Sequence, residues 1–130
     1  MQKKAKVRKK KKTIHRVSTG KVFVHATFNN TIVTVTDVNG KVLCWSSPGG
    51  VGFKGSRKST PFAASVAAKD AVKKAKIFGL KDVEVHLKGP GGGKESAVRS
   101  IRSEGMNISS IIDTTPTPHN GCRPKKRRRI

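Results

Sequence analysis

The feature that most constrains this chain is where its charge sits. Residues 1–16 hold nine basic side chains and no acid, and residues 123–130 hold six and no acid. Fifteen of the 22 net positive charges of the 130-residue chain therefore lie in two runs that cannot pack a core. Like charges at this density repel and keep a free chain extended. The stretch between them carries 14 basic and 7 acidic residues, a net of +7, and must supply whatever folds. The reading is a disordered basic N-terminal tail at 1–16, one α/β domain at 17–113, and an extended basic arm at 114–130. Pro116, Pro118 and Pro124 bar regular structure from that arm.

Within the body the hydrophobic period changes from two to nearly four and back. Val22, Val24, Ala26 and Phe28 alternate with Phe23, His25 and Thr27, which predicts a strand over 21–28 with the first set on one face. Asn29-Asn30 reads as a tight turn into a second strand at 31–36. Asn39-Gly40 is a strong hairpin signal and leads to a third strand at 41–46. Residues 47–59, with four glycines, read as loop. Thr60-Pro61 is a helix start, with Thr as cap and Pro at the first helical position. Ala64, Ala67, Ala68, Ala71, Ala75 and Phe78 recur at helical spacing, and Gly79 marks the stop. A fourth strand around 83–87, a short helix at 94–104 and a fifth strand at 106–113 complete a mixed five-stranded sheet: three antiparallel strands, helix, strand, helix, strand. Cys44 and Trp45, on the third strand, are expected in or beside the core.

Ordering fifteen like charges costs entropy that a dense polyanion can offset, and nucleic acid does so by releasing condensed counterions. A membrane partner is not expected. No apolar run approaches the ~18–20 residues of a span, the first twelve residues are charged rather than apolar as in a signal peptide, and neither tail offers a Leu, Phe or Trp to insert. Gly50-Val51-Gly52-Phe53-Lys54-Gly55 matches a dinucleotide fingerprint, but the helix opens five residues too late and no acid closes the next strand. The loop is read instead as a phosphate contact carrying Lys54, Arg57 and Lys58. The second glycine run, 89–93, fails the P-loop pattern, with Lys88 where Gly is needed and Glu95 where Ser or Thr is needed. Lys88, Lys94, Arg99 and Arg102 surround it and are expected to touch RNA backbone, with backbone donors at the helix start. Two cysteines and scattered acids give no metal set, no cofactor site and no paired carboxylates, so no catalytic residue is expected. Six aromatics are few for a base-stacking platform, which favours recognition of folded RNA by phosphate and shape.

Three long motifs in order then carry a resemblance: residues 25–34 (HATFNNTIVT), residues 52–64 (GFKGSRKSTPFAA), and residues 118–124 (PHNGCRP) with the basic run after them. Over about 17–130 the chain resembles the universal small-subunit ribosomal protein S-eleven family, with a bacterial or organellar type of ending. The resemblance implies a ribonuclease-H-like three-layer fold without catalytic activity. It implies a place on the platform of the small ribosomal subunit, cytoplasmic or organellar. There the protein would bridge helices of small-subunit ribosomal RNA near the messenger exit path and the Shine–Dalgarno duplex. Neighbouring platform proteins numbered seven and eighteen are the implied protein partners. The RNA contacts carried over by motif are Asn29, Asn30, Lys54, Gly55, Ser56, Arg57, Lys58, His119, Asn120 and Arg123, followed by Lys125, Lys126, Arg127, Arg128 and Arg129. The chain departs from the family at Lys125, where a second proline is usual, and at Pro48, where a small residue is commoner.

Overall fold

The computed structural model describes residues 16–129; the tail expected at 1–16 thus lies outside the described residues, save Arg16. Five strands form one sheet: β1 Thr19–Ala26, β2 Thr31–Asp37, β3 Val42–Ser46, β4 Asp82–Lys88 and β5 Asn107–Asp113. Two helices, α1 Pro61–Lys76 and α2 Gly93–Ser103, follow β3 and β4, and two 3-10 turns, Pro48–Val51 and Gly55–Ser59, fill the loop before α1. Strand order is β3-β2-β1-β4-β5. β1 runs antiparallel to β2 and β2 to β3, whereas β1, β4 and β5 run parallel. This is the α/β class and mixed five-stranded sheet read from the sequence.

Both crossovers, β3 to β4 through α1 and β4 to β5 through α2, travel the same way along the sheet. Right-handed crossovers in one direction put their helices on one face. One core results: Val22, Val24, Val33, Val35, Val83 and Val85 from the sheet against Ala68, Ala71, Val72, Ala75, Ala97 and Ile101 from the helices. The fully buried alanines of α1 keep the layers close. Ile101 is the largest fully buried side chain, and cutting it to Ala would cost about 2–5 kcal/mol.

The turn chemistry follows the sequence. Asp37 Oδ1 accepts from the backbone of Asn39 (2.9 Å) and Lys41 (2.8 Å), fixing the β2–β3 hairpin. Thr60 Oγ1 accepts from Ala63 N at 3.2 Å as the cap of α1. Two expectations are corrected. β1 ends at Ala26, so Phe28 belongs to the following turn and is 76% exposed rather than continuing the strand face of Val22, Val24 and Ala26. Trp45 alternates with Cys44 and Ser46 on β3; those two face α1, so Trp45 points away from the core and is 58% exposed. Cys44 does pack against the core, with Sγ 3.6 Å from Ala71 O, and burial pushes its thiol up to about 11.

Candidate nucleic-acid interface

Strand direction decides where the candidate residues gather. β1, β3, β4 and β5 all point the same way, so the β1–β2 turn (27–30), the loop 47–60, the glycine loop 89–92 and the start of the arm at 114 all leave from one end of the sheet. In open α/β sheets the carboxyl ends of the strands are where ligands bind. Both helices also begin there, so their partly positive N-termini add to the field of the cations.

The β1–β2 turn closes on itself. Thr27 N and Thr27 Oγ1 both donate to Asn30 O (2.8 and 3.1 Å), and Asn30 Oδ1 accepts from Thr31 N at 2.9 Å. Asn30 is thereby committed to the turn, while Asn29 stands exposed. In the loop 47–60, Pro48 is buried at the start of the first 3-10 turn and its carbonyl accepts from Phe53 N at 3.0 Å. The proline that departs from the family pattern therefore anchors the loop. Gly55, Ser56 and the side chains of Lys54 and Arg57 are exposed, Lys58 is half-buried, and Val51, Gly52, Phe53, Lys54 and Arg57 line a cavity of about 330 Å³. Thr60 Oγ1 donates to Arg57 O at 2.8 Å, tying this cationic turn to the first turn of α1.

The loop 89–92 is built differently. Gly91 N donates to Ala26 O at 2.9 Å, and Gly89, Gly91 and Gly93 are buried against the end of β1 and the start of α1. A Cβ on Gly93 would stand 2.5 Å from Thr31 Oγ1 and 2.8 Å from Ala64 Cβ. These glycines serve close packing. The first turn of α2 has no side-chain cap. Lys94 Nζ lies 3.4 Å from Asp113 Oδ2. Asp113 also accepts from Thr115 N (3.0 Å) and Thr115 Oγ1 (2.5 Å), and Gly89 N donates to Thr115 Oγ1 at 3.2 Å. Hydrogen bonds from Thr115, aided by Lys94, hold the Asp113 carboxyl below its ordinary range. Lys88 and Lys94 are thus at the loop end. Arg99 lies midway along α2, 4.0 Å from Glu95, and Arg102 in its last turn, lining a groove with β5 away from the loops.

Residues 114–129 contain no helix or strand and are exposed throughout, including His119, Asn120, Arg123, Lys125, Lys126 and Arg127 to Arg129. Asn120 has φ +77, unusual for a residue with a side chain. Asp113 and Thr115, which root the arm, carry no sequence signal of that role. Neither do Phe23 and Trp45, whose exposure depends on which sheet face the helices cover. Among the described residues no group of three or more His, Cys, Asp or Glu could hold a metal ion, and no helix is long and apolar enough to cross a membrane.

Comparison with known proteins gives the family. The family model for ribosomal protein S11 matches residues 20–129, taking in body and arm together. The chain is 62% identical over 126 residues to small ribosomal subunit protein uS11 of Aromatoleum aromaticum, covering 97% of this chain and 96% of that one. It is 61% identical over 124 residues to the uS11 of Chromobacterium violaceum, covering 95% of each, and 57% identical over 126 residues to that of Rhodopirellula baltica, covering 97% and 99%. A match that runs through strands, cationic loops and basic arm without a break shows that the chain belongs to the ribosomal protein S11 family, a family of ribosomal proteins rather than of enzymes.

Proposed function

We propose that the protein is a structural constituent of the small ribosomal subunit that binds small-subunit ribosomal RNA. On this reading it sits on the platform and bridges separate RNA helices near the messenger exit path, beside the platform proteins numbered seven and eighteen. One observation carries the reading: the turn at Asn29, the loop with Lys54, Arg57 and Lys58, the pair Lys88 and Lys94, and the root of the basic arm all leave from one end of the sheet. A body with its cations at one end and a charged string leading away can touch two RNA segments at once. Phosphates on each would be neutralised where they otherwise repel.

Salt dependence of binding to small-subunit ribosomal RNA tests this. Removing residues 125–130 takes away five cations. At ~0.7–0.9 per phosphate contact, the slope of log affinity against log salt should shrink by roughly 3.5–4.5. An unchanged slope would mean the arm makes no phosphate contacts. Loss of the protein from small subunits in a high-salt wash would instead favour a free RNA chaperone.

A further inference from the structure

Among the described residues no helix or strand covers the face of the sheet opposite the helices, and the strand registers assemble one row of side chains across all five strands. Trp45 pairs with Thr34, Thr34 with Phe23, Phe23 with His86, and His86 with Ile112. The rings of Phe23 and His86 stack at 4.9 Å with 22° between their planes. Toward the loop end a second row holds Ile32, His25 and Lys88. On the other side a third row holds Thr36, Lys21, Glu84 and Ser110. Phe23, Ile32, Trp45 and Ile112 are between 38% and 58% exposed. With only six aromatic residues in the chain, gathering two of them with two histidines on one face is a concentration that composition conceals.

Charge and position say what covers this face. Its two strand acids, Asp82 and Glu84, are met within the sheet: Asp82, at the end away from the loops, accepts from Asn107 Nδ2 at 2.8 Å, and Glu84 lies opposite Lys21, with His86 Nε2 3.2 Å away, at ion-pair distance though without hydrogen-bond geometry. Lys88 forms no ion pair among the described residues. A depression of about 270 Å³ lies among Phe23, His25, Ile32, His86 and Lys88, and Thr114 borders it. Lys88 leads into the glycine loop and Thr114 into the arm, so the depression continues the candidate interface on both sides. Phe23 and Trp45 stand two strands, about 10 Å, apart with only the short Thr34 between them, a slot wide enough for one planar ring.

We propose that this face takes unpaired bases of the bound RNA, stacked against Phe23 and Trp45, with their phosphates toward Lys88. The inference rests on the reading of RNA as the ligand and adds to it a second mode of contact, since stacking does not depend on counterion release.

Trp45 is the only tryptophan and reports on its own site. The full chain is titrated with a labelled single-stranded RNA of mixed sequence and with small-subunit ribosomal RNA, reading RNA anisotropy and tryptophan emission together. Binding should quench Trp45. Phe23→Leu, which keeps an apolar side chain on an exposed position, should weaken binding about 5- to 150-fold, the range for loss of one stacked base, with the salt slope unchanged. A Phe23→Trp, Trp45→Phe variant moves the reporter into the depression and should quench as well. Anisotropy that rises while emission stays constant in both proteins would overturn the inference and leave the reading of RNA as ligand intact. Emission that responds to purified small-subunit proteins and not to RNA would make the face a protein contact and overturn it too. No rise in anisotropy at all would sink the RNA reading itself.

Discussion

The two glycine-rich loops look alike in the sequence: each follows a strand, carries or is flanked by lysines and precedes a helix. The structure separates them. In the loop 89–93 the space beside Gly89, Gly91 and Gly93 is filled, for a Cβ on Gly91 would press into the carbonyl of Thr27 and stand 2.8 Å from the carbonyl carbon of Ala26. In the loop 47–60 a Cβ on Gly50 would meet nothing nearer than Ser47 Oγ at 3.8 Å. One loop has glycines so that the protein can approach itself, the other so that something else can approach the protein. Glycine content therefore does not identify a ligand loop; what surrounds the missing Cβ does.

The largest effect that would break this comparison is on stability. Neither Gly91 nor Gly50 has a positive φ, so replacing each with Ala compares space alone. Gly91→Ala should destabilise folding by about 2–3 kcal/mol, because backbone on the facing strand cannot move aside. Gly50→Ala should stay within about 0.5 kcal/mol. Denaturant melts of the two variants giving equal midpoints would erase the distinction. On RNA binding the order reverses. Converting Lys54, Arg57 and Lys58 to Gln should lower the salt slope by roughly 2–2.7, and converting Lys88 and Lys94 by at most roughly 1.4–1.8. Lys94 already faces Asp113, so its share should be the smaller. A larger drop for the second pair would return the glycine loop to the centre of the interface.

Thr60 sharpens the contrast at the helix starts. It caps α1 through Ala63 N and also donates to Arg57 O, whereas α2 begins on Gly92 with no side-chain cap. Thr60→Ala should cost about 1 kcal/mol of stability, the usual worth of a cap. Because Arg57 loses its backbone tether, RNA affinity should fall as well. A thermal melt unchanged by the substitution would show that the cap contributes nothing.

Much of the fold was legible because each local signal agreed with the period of its segment. Asn39-Gly40, Thr60-Pro61 and the alanine ladder of α1 mark their elements without tertiary information. Trp45 and Phe28 were not legible. An alternating strand does not say which face the helices will cover, nor that β1 stops at Ala26, so an apolar side chain at either position reads as core until the sheet is assembled. The candidate interface was legible as residue types and motifs. Its assembly at one end was not, since that follows from four strands sharing a direction. Arg99 and Arg102 show the same limit: nearness in sequence to the glycine loop does not keep a residue beside it once a helix carries it away.

The smallest effect concerns the link between the glycine loop and the arm. Gly89 N donates to Thr115 Oγ1, which donates to Asp113, and Lys94 approaches the other carboxyl oxygen. These partners favour the ionised form, so the Asp113 carboxyl titrates below its ordinary range. A group whose folded pKa is lowered adds stability above its unfolded pKa and loses it as pH falls through the folded value. The root of the arm should therefore be held at neutral pH and released only in acid. Asp113→Asn keeps the shape but lacks the charge. Its difference from the parent protein should be largest at neutral pH and vanish once the pH drops below the carboxylate range. The backbone amide resonance of Gly89, followed by NMR against pH, reads this directly: it should move with the titration of Asp113 in the parent chain and lose that movement in the variant. An amide that shifts identically in both would show that the arm is rooted by its backbone alone, leaving the glycine loop and the arm as independent parts.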